Sequence, residues 1–282
     1  MDILGYSSSA WLPSALYLLL LLFLGSRTEK KMESTAFAGV IQIAILFILV
    51  VHGIQLHDSV FTPQGFVFGF AQDLSLIAWV GLAFYWFQAW FLPISSLRWL
   101  VLCFALICSV LPAIFTGTVI SPKAVSDPWF KGHFIVATIS VGLLSLAALH
   151  AMLMSVQDRA LHRQLAVIPN GRVARCLEGL PPLMTMESLL FNLLYVGVAL
   201  LSLTVFSGLL FSQTLFGKPL VFDHKTIFAL ISWVLFSGLL IARWRVGLRG
   251  RVAVRWVLSA YTALLLAYVG SRFVLEVILQ RA

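Results

Sequence analysis

The side chains able to do chemistry in this chain are few, and they recur near the same positions along it. Six histidines are present: His52, His57, His133, His150, His162 and His224. His224 stands inside the run Asp223-His224-Lys225, and Asp73, Arg272 and Glu276 are isolated charges at the borders of long apolar stretches. Imidazoles beside Lys and Arg, in a chain with 22 Phe and 9 Trp, suit a haem. Its iron takes one or two axial histidines, its macrocycle prefers an apolar aromatic groove, and its propionates pair with cations. His133, His52 and His224 are the candidate iron ligands. Lys225 and Arg272 are candidates for the propionates, with Asp73 and Asp223 completing the cofactor-binding set. The expected cofactor is haem b, since no C-x-x-C-H is present to attach haem covalently. His57 is expected in an exposed loop. His150 lies 17 residues after His133, at the far end of the same helix, so it cannot share an iron with it and is expected to serve packing.

Other site chemistries lack their signatures. Nothing resembles H-E-x-x-H or a Cys cluster for zinc, and Cys103, Cys108 and Cys176 form no C-x-x-C pair. There is no phosphate-binding G-x-x-x-x-G-K-[ST], no G-x-S-x-G and no S-x-x-K.

The elements that must position these residues follow from composition. Of 282 residues, 61% are hydrophobic and 11% charged, against roughly 25% charged in a soluble domain. A cytosolic enzyme and a disordered chain are both excluded. The class expected is all-α, a polytopic transmembrane bundle forming a single integral domain over residues 1–282. A span needs about 20 mainly apolar residues. Eight such runs lie near 10–25, 36–55, 70–92, 97–117, 132–155, 190–216, 224–243 and 254–278. The first lacks a basic leader and is followed by Arg27, Lys30 and Lys31, so it is expected as an uncleaved span. Residues 157–164 are expected to extend the fifth helix, and Pro181-Pro182 to stop any helix before the sixth, with Glu187 in its first turn.

A net charge of +8 would suggest nucleic acid in a soluble protein. Here it fixes orientation, and no nucleic-acid partner is expected. Arg27, Lys30, Lys31, Arg98, Arg159, Arg163, Arg172, Arg175, Arg243, Arg245, Arg249, Arg251 and Arg255 fall in one set of loops, 13 of the 19 basic residues. That set is expected to be cytoplasmic and both termini outside. His52, His57, His133 and His224 then gather at the outer face. Arg272 joins them, because it stands 18 residues beyond Val254, about 27 Å along a helix.

Several stretches resemble the haem-handling cytochrome c assembly proteins, the CcsA/CcmC/CcmF group, and within it the small HemX-like or YpjD-like branch. They are Val51-His52-Gly53, Trp129-Phe130-Lys131-Gly132-His133-Phe134, Leu180-Pro181-Pro182-Leu183-Met184-Thr185-Met186-Glu187 and Tyr268-Val269-Gly270-Ser271-Arg272. Phe216-Gly217-Lys218-Pro219-Leu220-Val221-Phe222-Asp223-His224-Lys225 occupies the place of the family's tryptophan-rich haem loop and keeps its Gly, Asp and Lys spacing. The resemblance covers about residues 40–278. It departs from the family where Phe216, Leu220 and Phe222 replace tryptophans, and His224 replaces a proline. No counterpart is expected for the family's external His beyond the last span, nor for the transmembrane His of the large synthases, where Ile241-Ala242-Arg243 stands.

The resemblance implies a haem-binding protein of a bacterial inner membrane that assists cytochrome c assembly or haem delivery. Its departures imply an assembly factor rather than a complete haem lyase. Expected partners are the lipid bilayer, apocytochrome c or other cytochrome assembly proteins, and a haem-biosynthesis enzyme on the cytoplasmic side. That last partner belongs to an alternative reading, a non-catalytic regulator or scaffold of tetrapyrrole synthesis. A transporter of haem or another solute is a further alternative. It would need polar groups through the midplane, where the sequence offers little beyond Gln42.

Overall fold

The computed structural model describes residues 10–26, 35–62, 65–92, 94–95, 97–115, 117–120, 127–162, 181–216 and 224–279. Long apolar runs with few backbone breakers satisfy their own amide groups only as helices when no water is present. Among the described residues eight long ones form: α1 (Leu12–Gly25), α2 (Thr35–Val60), α3 (Phe70–Gln88), α4 (Leu97–Ile114), α5 (Pro128–His162), α6 (Leu183–Phe216), α7 (His224–Val246) and α8 (Gly250–Leu265). α8 continues through two π-helical turns, Leu266–Gly270 and Val274–Ile278, with a short α segment between them.

With α8 counted through its continuation to Ile278, seven of these helices are long and apolar enough to cross a membrane. α1 is the exception, with 14 residues and a length of about 21 Å against a hydrocarbon core of about 30 Å. Large side chains such as Leu19, Leu22, Ile43, Phe47 and Leu210 are exposed, the surface of a protein whose solvent is lipid rather than water.

Several boundaries differ from the sequence reading. α2 runs to Val60, which places His57 and Asp58 in its last turn instead of a loop. α6 begins at Leu183, directly after Pro181-Pro182, because a proline pair is compatible with the approach to a helix even though it stops one. Glu187 therefore falls in its second turn. The all-α expectation also omits a three-stranded antiparallel sheet of β1 (Phe61–Thr62), β2 (Gly65–Phe68) and β3 (Thr118–Ile120). Phe66 pairs with both Phe61 and Ile120. Phe66 and Phe68 turn onto Phe134 of α5, forming a small aromatic cluster separate from the main core.

α5 is the centre of the bundle and packs most extensively on α6, then on α3 and α8. Apolar helices gain little by leaving lipid for one another, so close approach of small residues and interhelical hydrogen bonds hold them. A methyl at Gly142 of α5 would lie 2.5 Å from Val80 of α3, and one at Gly197 of α6 would lie 2.8 Å from Leu144. The Ser140 hydroxyl donates to the Gly197 carbonyl at 3.0 Å, and the Tyr261 hydroxyl donates to Ser145 at 2.7 Å. The Trp79 and Trp86 indoles of α3 donate to the Leu49 and Gln42 carbonyls of α2.

One end of the bundle is pinned by charge. Glu187 of α6 pairs with Arg243 of α7 at 2.6 Å and with Arg249 at 3.6 Å, and accepts from the Gly250 amide. Arg251 pairs with Asp158 of α5. The α7–α8 turn between them reverses through Gly247 and Gly250, both at positive φ where a Cβ would be strained. The histidine-bearing ends of α2, α5 and α7 lie at the opposite end, where the sheet sits.

Candidate functional site

His133 is the sixth residue of α5 and half-buried. Its Nδ1 lies 2.8 Å from the Ser207 hydroxyl of α6. A methyl at Gly208 would approach its Cε1 to 3.3 Å, so the absence of a side chain there lets the ring lie against α6. Beside it opens a cavity of about 140 Å³, lined by His133, Gly208, Lys225, Thr226 and Tyr268 among others. Tyr268 belongs to the first π-helical turn of α8, a local widening that recurs at functional sites. The Lys225 ammonium lies 5.3 Å from the centre of the Tyr268 ring, a cation–π contact. The structure thus joins His133 and Lys225, 92 residues apart in sequence, in one site.

Next to this cavity, the end of α8 grips the sheet–helix junction. Arg272 donates to the Phe68 carbonyl at 3.2 Å and lies over the Phe68 ring. One turn on, Glu276 accepts from the Phe70 amide at 3.3 Å, at the positive end of the α3 dipole. Gly69 lies between these contacts. A Cβ there would meet Glu276 Oε2 at 2.8 Å and the Gly117 Cα at 2.9 Å. Asp73, in the first turn of α3, is buried within electrostatic reach of Arg272, Lys225 and Glu276. Arg272, expected to steady a propionate, braces β2 as a strut through the Phe68 carbonyl and ring.

His52 stands apart from the cavity. It is completely buried on α2, with Nδ1 2.9 Å from the Tyr17 hydroxyl of α1 and Nε2 2.9 Å from the Ser75 hydroxyl of α3. Both ring nitrogens are engaged, and the residue ties three helices together. His224 opens α7 and is exposed; its neighbour Lys225, not His224, lines the cavity. Asp223 lies outside the described residues, as does most of the stretch that resembles the haem loop. His57 is exposed beside Asp58. His150 is buried and donates through Nε2 to the Met186 carbonyl at 3.0 Å, the packing role expected of it.

Sequence reasoning singled out neither Ser207, Gly208, Ser75 nor Tyr17. Small or hydroxyl-bearing residues inside apolar helices carry no pattern of their own. Their part appears only when a histidine from another helix meets them. Among the described residues no three His, Cys, Asp or Glu side chains gather as a metal site. A haem iron asks less of the protein, since the porphyrin supplies the equatorial nitrogens.

A polytopic bundle with a histidine and a lysine at one end of its apolar helices is thus the class that fold and site define. The family model for the cytochrome c assembly protein matches residues 6–279, and the chain belongs to that family. It is 37% identical over 153 residues to an uncharacterized 28.8 kDa protein of Azospirillum brasilense, covering 54% of this chain and 53% of that one. It is 31% identical over 153 residues to the inner membrane protein YpjD of Escherichia coli, covering 54% of each. The protein HemX of Brevibacillus brevis is 22% identical over 138 residues, 49% of this chain and 48% of that one. The chain therefore spans about half the length of the curated relatives it matches. No solved structure matches it.

Proposed function

We propose that this protein is a haem-binding factor of the inner membrane that assists cytochrome c assembly or haem delivery, with His133 as an iron ligand. The observation that carries this reading is the convergence of His133, Lys225 and Tyr268 on one cavity in a chain of the cytochrome c assembly family. The name of YpjD as an inner membrane protein supports the location. The balance of basic residues supports an outside position for the His133 end, with the Glu187–Arg243 end cytoplasmic and α1 as an eighth, short crossing.

The donor set fits haem: an imidazole for iron, an ammonium for a propionate and an aromatic wall. At about 140 Å³ the cavity falls below the ~300–1,000 Å³ of an enclosed ligand site, so it admits the edge of a macrocycle and not the whole. Such a site suits a protein that hands haem on. Bound haem would supply the redox-active iron. The protein's own contribution would be to hold and orient it, with His224 the candidate for a second ligand. His52 would serve the scaffold.

The test is a reduced-minus-oxidised spectrum and a pyridine haemochrome assay on purified protein supplied with haem. Wild type should take up haem, and His133→Ala should lose the ligand-field signature while Lys225→Ala weakens binding. A protein that takes up no haem under these conditions refutes the reading.

A further inference from the structure

A groove on the lipid-facing side of the bundle takes no part in the site described above. α4 and α8 both pack on α5 but little on each other, and between them opens a space of about 610 Å³. Phe104 and Ile107 of α4 form one wall and Ala148 and Met152 of α5 the floor, with Leu266 and Phe273 of the α8 continuation opposite. We propose that this groove seats an acyl chain of an anionic phospholipid whose phosphate is held by Arg159 and Arg255.

The lining excludes a polar occupant. Among the described residues that line the groove none is charged, and its hydroxyls are already engaged. Tyr261 donates to Ser145 at 2.7 Å, and Ser145 donates to the Val141 carbonyl at 2.7 Å. Water finds no free partners in such a space. The shape in turn excludes a helix. From Tyr261 to Phe273 the wall runs 12 residues, about 18 Å. Over that length 610 Å³ gives a mean cross-section of about 34 Å², well under half that of a helix about 10–12 Å across. A chain of methylenes, which touch other carbons at about 4 Å, fits.

Charge at one end selects the headgroup. Arg159 stands seven residues after Met152, and Arg255 eleven before Leu266. These are about two and three helical turns, so each arginine continues a face that lines the groove. Both are exposed, toward the end where Glu187 pairs with Arg243. Asp158, the neighbour of Arg159, is paired with Arg251, which leaves this mouth positive. Guanidinium groups match phosphate through a planar fork of donors. The first π-helical turn of the α8 continuation is shared with the other cavity. Leu266, Val269 and Gly270 line the groove, while Tyr268 of the same turn lines the cavity beside His133. A lodged chain therefore braces the wall that carries Tyr268.

The experiment uses the full-length protein in vesicles of phosphatidylethanolamine and phosphatidylglycerol, the phosphatidylglycerol carrying a mid-chain diazirine. Photolysis and peptide mass spectrometry should find adducts concentrated on the groove residues, above those at lipid-exposed Phe47 and Leu210. Arg159→Gln and Arg255→Gln should each lower groove labelling about fivefold, the worth of one basic side chain near an anionic surface. The double variant Ile107→Trp, Met152→Trp fills the groove from two exposed positions, so it should stay monodisperse and lose the groove adducts. Should it not fold, the arginine variants and the lipid comparison decide alone. Even labelling around the belt overturns the site. Equal labelling by a diazirine phosphatidylcholine, or labelling unchanged by both arginine variants, overturns the anionic headgroup. Cross-linking of two copies through Cys103 in place of lipid adducts makes a second copy the occupant and overturns the proposal.

Discussion

His52 is the residue at which the sequence reading and the geometry diverge most, and a substitution series there separates a ligand from a structural tie. Its ring is wholly inside the protein and its two nitrogens meet Tyr17 and Ser75 at 2.9 Å each. Tyr17→Phe removes one hydroxyl and leaves Nδ1 without its partner. Orphaning a buried polar group costs about 1–3 kcal/mol. Hydrogen bonds between membrane helices average about 0.6 kcal/mol and reach about 1.7, because the unfolded chain also finds partners in lipid. The expected cost is therefore at the lower end, about 1–2 kcal/mol. His52→Leu orphans two hydroxyls, so about 2–4 kcal/mol is expected on the same basis. The triple variant Tyr17→Phe, His52→Leu, Ser75→Ala removes every polar partner at once and should recover most of that loss, since replacing all partners by apolar groups is nearly neutral. Reversible unfolding in mixed detergent micelles, followed by tryptophan fluorescence, reads these differences. The triple variant should also take up haem as wild type does. Wild-type stability in Tyr17→Phe and His52→Leu, with haem uptake abolished in the triple variant, would refute the structural assignment and make His52 the ligand.

Other substitutions probe the packing that holds the site. Gly69→Ala should disrupt the α8 strut, because its Cβ would meet Glu276 and the Gly117 backbone within 2.9 Å; a reduced monodisperse yield by size exclusion checks it. Glu187→Ala leaves Arg243, itself largely buried, without the partner now at 2.6 Å. Breaking such a pair costs about 3–5 kcal/mol, read as a lower Tm in detergent, and Glu187→Asp should recover part of it. Gly142→Ala should destabilise the α3–α5 contact by about 1–3 kcal/mol through overpacking, whereas Gly39→Ala, with nothing within 4 Å of its added methyl, should be neutral or slightly stabilising in the same thermal assay.

The sequence by itself determined the class and the ends. Long apolar runs can only be helices in a solvent without hydrogen bonds to offer, so α3, α4 and α7 start where their first apolar turn does, and the histidines at run borders gather at one end of the bundle. It also placed His150 in packing, since one helix cannot bring His133 and His150 together. The short strands stayed hidden because Gly65-Phe66-Val67-Phe68 and Thr118-Val119-Ile120 are as apolar as the helices they join, and too brief to show a period.

Which of the residues at this end meets which partner was decided by tertiary structure alone. His52, His133 and His224 look alike in sequence, each at the border of an apolar run. Their environments differ because different helices approach them. Tyr17 and Ser75 close on both nitrogens of His52, Ser207 takes one nitrogen of His133, and His224 stays exposed. Arg272 and Lys225 are likewise both basic residues near one membrane face, yet one braces the Phe68 carbonyl while the other lines the cavity. A side chain's function depends on its partners, and partners from distant helices are set by packing, which no local pattern of residue types records.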